Sequence, residues 1–191
     1  VIADEVHAPM TLAGTKHTPF LKAAADVAHL YAVVIMSASK TWNIPGLKCA
    51  QVVAVPTVAE RLRERLPTEA TYLVGHFGVL ASLAAYREGA AWRREMLAAL
   101  DSRRQLFTAL QDIAGASMTW PEASYLAWVR VEGLGDDPAE VIRERGKVAL
   151  TSGSAFGSPG VGHVRINFAT SEAILAEVVD TLGSVVAAHA S

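Results

Sequence analysis

The chain has 191 residues, 51% hydrophobic and 19% charged, a balance that fits a folded globular protein and excludes a disordered or low-complexity chain. Seventeen basic against nineteen acidic residues give a formal net charge of −2 with no long block of either sign, so nothing in the charge calls for nucleic acid. A single cysteine, Cys49, excludes an internal disulfide, and no Cys/His cluster has zinc spacing. No uncharged stretch is long enough to cross a bilayer, and the N-terminus lacks the basic-then-apolar order of a signal peptide. The expectation is a cytoplasmic protein with no membrane partner.

Residues 1–3, 32–36 and 50–55 are short apolar runs rich in β-branched side chains, with helical or loop-like material between them. They predict strands of a mostly parallel sheet. Residues 1–3 followed by Asp4-Glu5 read as a strand already in progress, so upstream sequence is expected. From about Thr71 the pattern lengthens: Leu73, Phe77, Leu80 and Ala84, then Trp92, Met96, Leu100, Phe107 and Leu110 beyond Gly89, predict two amphipathic helices. Further on, strands are predicted at 127–131, 148–150 and 164–168 and a short helix at 138–145. A closing helix is predicted at 171–188, capped by Ser171. Four glycines and a proline make 153–162 a loop. A domain boundary is placed near residue 90, and no repeat is visible.

The segment Ser37-Ala38-Ser39-Lys40-Thr41-Trp42-Asn43-Ile44-Pro45-Gly46-Leu47-Lys48 follows a predicted buried strand, which puts Lys40 at a strand end, where open α/β sheets hold their ligands. Burial there would favour the neutral amine that attacks a carbonyl. Ser37 through Lys40 also satisfies the Ser-x-x-Lys pattern of penicillin-binding enzymes, which would make Ser37 an acyl-transfer nucleophile. The Ser-Asp-Asn and Lys-Thr-Gly partners of that pattern do not follow. Arg165 lies between Val164 and Ile166 on a period-two strand, and the pattern alone leaves it facing either a ligand or water. His29, His76, His163 and His189 have no partner at metal or triad spacing, so ordinary structural or surface roles are expected.

Residues 37–47 resemble the lysine signature of fold-type I pyridoxal-5′-phosphate (PLP) enzymes in the class I/II aminotransferase superfamily, most closely the cystathionine β-lyase branch of MalY/PatB type. Asp4-Glu5-Val6-His7 with His17-Thr18-Pro19-Phe20 is similar to the preceding strand and loop of that branch. Phe156-Gly157, Gly160 and Val164-Arg165-Ile166-Asn167-Phe168-Ala169 resemble its carboxylate-binding segment. The resemblance implies an α/β fold. Residues 1–90 would be the C-terminal part of the PLP-binding large domain, with its upstream half missing, and 91–191 a small α+β C-terminal domain. Lys40 would form the Schiff base and move the substrate Cα proton, and Asp4 would pair with the pyridine nitrogen. His7 would stand near the cofactor's phenolic oxygen, with a satisfied core histidine as the alternative. Ser37 and Lys48 would bind the phosphate, Lys48 as a point charge where relatives have an arginine fork. Arg165 would take the α-carboxylate of an amino-acid substrate, and Trp42 would line the substrate pocket.

The implied activity of the parent is C–S β-elimination from a substrate such as cystathionine, giving thiol, ammonia and pyruvate. The alternatives are an aminotransferase using the same residues, or an inactive fragment or regulatory PLP-fold protein. Relatives of this family are homodimers, so a homodimer is expected. This stretch alone is expected to be inactive, because the Gly-rich phosphate turn and the ring-stacking aromatic lie upstream, and to expose apolar surface that the upstream half would cover.

Overall fold

Three short runs of β-branched residues organise the first part of the chain, and a second sheet organises the rest. The computed structural model describes residues 1–27 and 30–190, so His29 lies outside the described residues. The chain divides into two compact units, Val1–Leu97 and Ala98–Ser191.

In the first unit β1 (Ile2–Asp4), β2 (Val33–Met36) and β3 (Gln51–Ala54) form a sheet in the order β1-β2-β3. β1 runs parallel to β2 with Asp4 opposite Ile35, whereas β3 runs antiparallel with Gln51 opposite Met36. The expected mostly parallel sheet therefore holds for one of the two pairings. Between β2 and β3 the chain makes turns and a 3-10 segment, Pro45–Leu47, rather than the helical crossover a parallel return requires.

Helices α1 (Phe20–Ala23), α2 (Pro56–Arg65) and α3 (His76–Glu88) belong to the same unit. Proline in the first turn of α2, with Arg63 and Arg65 in its last, is a start-and-stop signal that the periodicity reading passed over. α3 packs in the opposite sense to expectation. Phe77 and Leu80 are exposed, while Gly78, Ser82 and Ala85 are buried. A Cβ at Gly78 would stand 2.3 Å from the Leu47 carbonyl oxygen, so only glycine lets the helix lie this close to the segment after the lysine turn.

The division between the units falls within α4 (Ala90–Gln105). The second unit adds β4 (Ala116–Met118), β5 (Leu126–Val131), α5 (Pro138–Gly146), β6 (Thr151–Ser152), β7 (His163–Asn167) and α6 (Glu172–Ala190). Its antiparallel sheet has the order β4-β5-β7-β6. Val129, Val131, Val164, Ile166 and Phe168 are buried, as are Leu175 and Leu182 of α6, and Phe107 meets Phe168 edge-on at 5.5 Å. Each such side chain contributes about 1.5–3 kcal/mol. Ser171 caps α6, its hydroxyl accepting the Ile174 N–H at 3.2 Å. Residues 148–150, expected as a strand, carry no regular structure; the strand is Thr151–Ser152, the residues in register with Arg165 and Val164. The loop expected at 153–162 contains two 3-10 turns, Gly153–Phe156 and Ser158–Gly160.

Among the described residues, no helix is long and apolar enough to cross a membrane and no cluster of His, Cys, Asp or Glu could hold a metal ion.

Candidate active site

β2 ends at Met36 and the chain turns at once. The Trp42 N–H donates to the Ala38 carbonyl and the Ile44 N–H to the Ser39 carbonyl, each at 3.0 Å, so the backbone wraps around Lys40. Lys40 is exposed at the turn, which corrects the burial expected of it: the turn's packed face is taken by Ala38 and Thr41 instead. Ser37 is buried. Its hydroxyl donates to the Cys49 carbonyl at 2.6 Å, accepts the Ser39 N–H at 3.0 Å and lies 2.7 Å from the Ser39 hydroxyl. Lys48 is exposed and its backbone is left-handed, φ 48°, where the 3-10 segment ends.

Because β1 and β2 are parallel neighbours, Asp4 and the Lys40 turn emerge at the same, carboxyl, ends of their strands, the position where open α/β sheets bind ligands. The Asp4 carboxylate accepts the Val6 N–H at 3.1 Å through one oxygen. His7 follows one turn on. Burial holds its pKa below the ordinary histidine value; the Lys40 charge adds to that lowering and Asp4 opposes it. All three side chains therefore lie within electrostatic reach of one another. Glu5, to which the sequence reading gave no role, accepts the Phe20 N–H at 2.6 Å and pairs with His17 at 3.5 Å, pinning the loop that follows His7.

Trp42 is half-buried. Its indole N–H donates to the Gly89 carbonyl at 3.0 Å and its ring meets Tyr86 edge-on at 5.4 Å. These partners lie 47 and 44 positions away, and no local pattern announces them.

In the second unit the buried Val164 and Ile166 put Arg165 on the opposite, half-buried face of β7, which resolves the orientation left open by the alternation. Its guanidinium carbon stands 4.8 Å over the Phe156 ring, and Trp128, its cross-strand neighbour, meets Phe156 edge-on at 5.5 Å and stacks on His163 at 5.3 Å. No carboxylate among the described residues pairs with Arg165, so its fork is open to an anion. His189 lies 2.8 Å from Arg145 through Nδ1, and the His76 ring meets Phe77 edge-on at 6.2 Å.

A family model for aminotransferases of class I and II matches residues 1–182. A Mycobacterium leprae protein provisionally described as a cystathionine beta-lyase is 39% identical over 96% of this chain and 49% of its own length. Cystathionine beta-lyase PatB of Bacillus subtilis is 32% identical over 92% of this chain and 46% of its own length. Aspartate aminotransferases are also among the relatives. A solved Corynebacterium diphtheriae protein, provisionally described as a PLP-dependent beta-cystathionase, superposes with a TM-score of 0.87 at 33% identity, over 98% of this chain and 50% of that one. The chain spans about half the length of the curated relatives it matches, and the fold is that of the fold-type I enzymes.

The residues present suit the cofactor that this family uses. An amine and a carboxylate stand at neighbouring strand ends, with an imidazole in reach of both. Thr41, adjacent to the lysine, has a buried hydroxyl without a hydrogen-bond partner among the described residues, a group that costs about 1–3 kcal/mol while unsatisfied and that marks the turn as incomplete by itself.

Proposed function

Because the chain belongs to the aminotransferase class I and II family, we propose that it forms the lysine-bearing part of a PLP-dependent C–S β-lyase. The observation that carries this reading is the parallel β1–β2 pair, which brings Asp4 and the Lys40 turn out at the same edge of the sheet. Bound PLP supplies an electron sink for the pair left when the substrate Cα loses its proton. Lys40 would hold the cofactor and carry that proton. Asp4, with one carboxylate oxygen beyond its bond to Val6, keeps the pyridine nitrogen protonated. His7 lies within electrostatic reach of both, and burial disfavours its charged form. Lys48 and the Ser37–Ser39 turn take the phosphate side, and Arg165 receives the substrate α-carboxylate through its two parallel N–H groups.

The reaction is α,β-elimination: the Cα–H and Cβ–S bonds break, sulfur leaves as a thiol, and water converts the remaining enamine to pyruvate and ammonia. The names of the relatives at 32–39% identity favour this outcome over amino transfer. The second reading, transfer of the amino group to a 2-oxo acid, rests on the aminotransferases among them. A cytoplasmic homodimer is part of the same proposal.

The test uses the full-length protein loaded with PLP and given cystathionine. Release of pyruvate with homocysteine, abolished by Lys40→Ala, is the expected result. No pyruvate at any pH, with amino transfer to 2-oxoglutarate instead, establishes the second reading. Neither product, with no borohydride-fixed label on Lys40, overturns both.

A further inference from the structure

We propose that Trp42 is a positioning residue that latches the Lys40 turn to α3 and β3, rather than a wall of the substrate pocket. The proposal rests on the reading of Lys40 as the cofactor lysine and adds the element that holds it still. The indole N–H donates to the Gly89 carbonyl at 3.0 Å, where α3 ends. Glycine is required at that point: a Cβ there would stand 2.2 Å from the indole nitrogen and 2.5 Å from the Ala85 carbonyl.

From Trp42 the contacts continue as a chain. Tyr86, on the last turn of α3, receives the indole edge-on at 5.4 Å with the rings at 86°. The Tyr86 hydroxyl, its pKa pushed up by burial and then by Cys49, donates to the Gln51 side-chain oxygen at 3.1 Å. The Gln51 amide reaches the Cys49 sulfur at 3.8 Å, and the Cys49 carbonyl accepts the Ser37 hydroxyl at 2.6 Å. A closed ring thus runs from Trp42 through α3 and β3 back to Ser37. It brackets Lys40 from two residues after it and three residues before it.

Within the turn the backbone contributes the bonds from Trp42 and Ile44, Ser37 bonds Ser39, and Ala38 and Thr41 are buried, while Lys40 itself projects into solvent; the Trp42 indole adds a tie from the turn to the end of α3. A reactive amine must be held within about 0.5 Å of its productive position, and a turn of this kind gains that rigidity from its anchors. The latch therefore contributes to the free energy of opening the turn.

Trp42→Phe in the full-length protein keeps the aromatic edge and deletes the N–H. Amide exchange across residues 38–48, in cofactor-free and PLP-loaded protein, is expected to quicken about three- to tenfold, the loss of one hydrogen bond. The pH midpoint of the visible absorption band of the loaded protein is expected to move, with borohydride still labelling Lys40. Gly89→Ala, a change outside the turn, should quicken exchange in the same segment by displacing the indole. Unchanged exchange and an unchanged midpoint in Trp42→Phe, with the parent protein labelled at Lys40, overturn the proposal. A parent protein without that label overturns the reading of Lys40 instead, and the exchange rates still decide whether Trp42 latches the turn.

Discussion

The guanidinium carbon of Arg165 lies 4.8 Å above the ring of Phe156, on the side of β7 facing away from the core formed by Val164 and Ile166. Phe156 is itself held by the edge-on indole of Trp128. The contact restrains the guanidinium, and no carboxylate among the described residues pairs with its N–H fork, which suits it to a carboxylate. Phe156 is half-exposed, so the contact is worth about 0.5–1 kcal/mol. Phe156→Ala is expected to raise KM for the amino-acid substrate about two- to fivefold with kcat little changed, the signature of lost ground-state binding. Arg165→Lys, which forfeits the bidentate fork, should raise it by about tenfold or more. Steady-state kinetics on the full-length enzyme checks both, and an unchanged KM in Arg165→Lys would remove Arg165 from substrate binding.

Gly78 offers a test of the close approach between α3 and the segment after the lysine turn. In a helix interior, Gly→Ala ordinarily stabilises by about 0.5–1 kcal/mol. Here the added methyl meets the Leu47 carbonyl oxygen at 2.3 Å and the Cys49 Cβ at 3.0 Å, both on or next to backbone that cannot swing aside. Overpacking of this kind costs about 1–3 kcal/mol and should win. Gly78→Ala is thus expected to lower the denaturation midpoint, whereas a rise would mean that α3 does not lie so close.

The strands of the first sheet, β5, β7 and the lysine turn were legible because they depend on local chemistry: β-branched runs, turn residues, and a lysine placed immediately after a strand; Ala116–Met118 and Thr151–Ser152, with no β-branched apolar run, were not. Arg165 could be named from the sequence but not oriented, since alternation says which residues share a face and not which face is covered. α3 was misread for a related reason. Leu73, Phe77 and Leu80 form an apolar stripe at helical spacing, yet the structure buries the small residues Gly78, Ser82 and Ala85 and leaves the stripe outside. Periodicity measures amphipathicity, and a helix that packs backbone-to-backbone through small residues inverts the inference. The Trp42–Gly89 bond was out of reach altogether, because its partners are 47 residues apart.

Arg104 is a buried cation whose partners can be tested one at a time. One of its terminal nitrogens meets Asp101 at 2.8 Å, the other donates to the Pro121 carbonyl at 2.8 Å, and its guanidinium stands 5.7 Å from the Trp120 ring. Asp101→Asn removes the compensating charge and leaves the guanidinium buried, at a cost of about 1–3 kcal/mol. Urea unfolding followed by tryptophan fluorescence, to which Trp120 contributes, should show the loss. An unmoved midpoint would mean that Arg104 is compensated by its other contacts.

His7 links the site to pH, and the sign follows from the causes of its shift. Burial is the largest, the Lys40 charge adds to it, and Asp4 acts the other way, so the folded-state pKa lies below the ordinary value of about 6.5. Between the folded-state pKa and 6.5 the unfolded chain binds more protons at this position than the folded chain does, and stability rises with pH across that window. The contribution is fully present above pH 6.5 and is lost as pH falls through the folded-state pKa. His7→Asn should flatten that part of the stability profile. Observed by NMR, the His7 ring should titrate below 6.5. Lys40→Met should move its midpoint up without restoring the ordinary value, because burial remains, while Asp4→Asn should move it further down. A His7 midpoint indifferent to both substitutions would separate the imidazole from the lysine and the aspartate, and with them the shared site at the ends of β1 and β2.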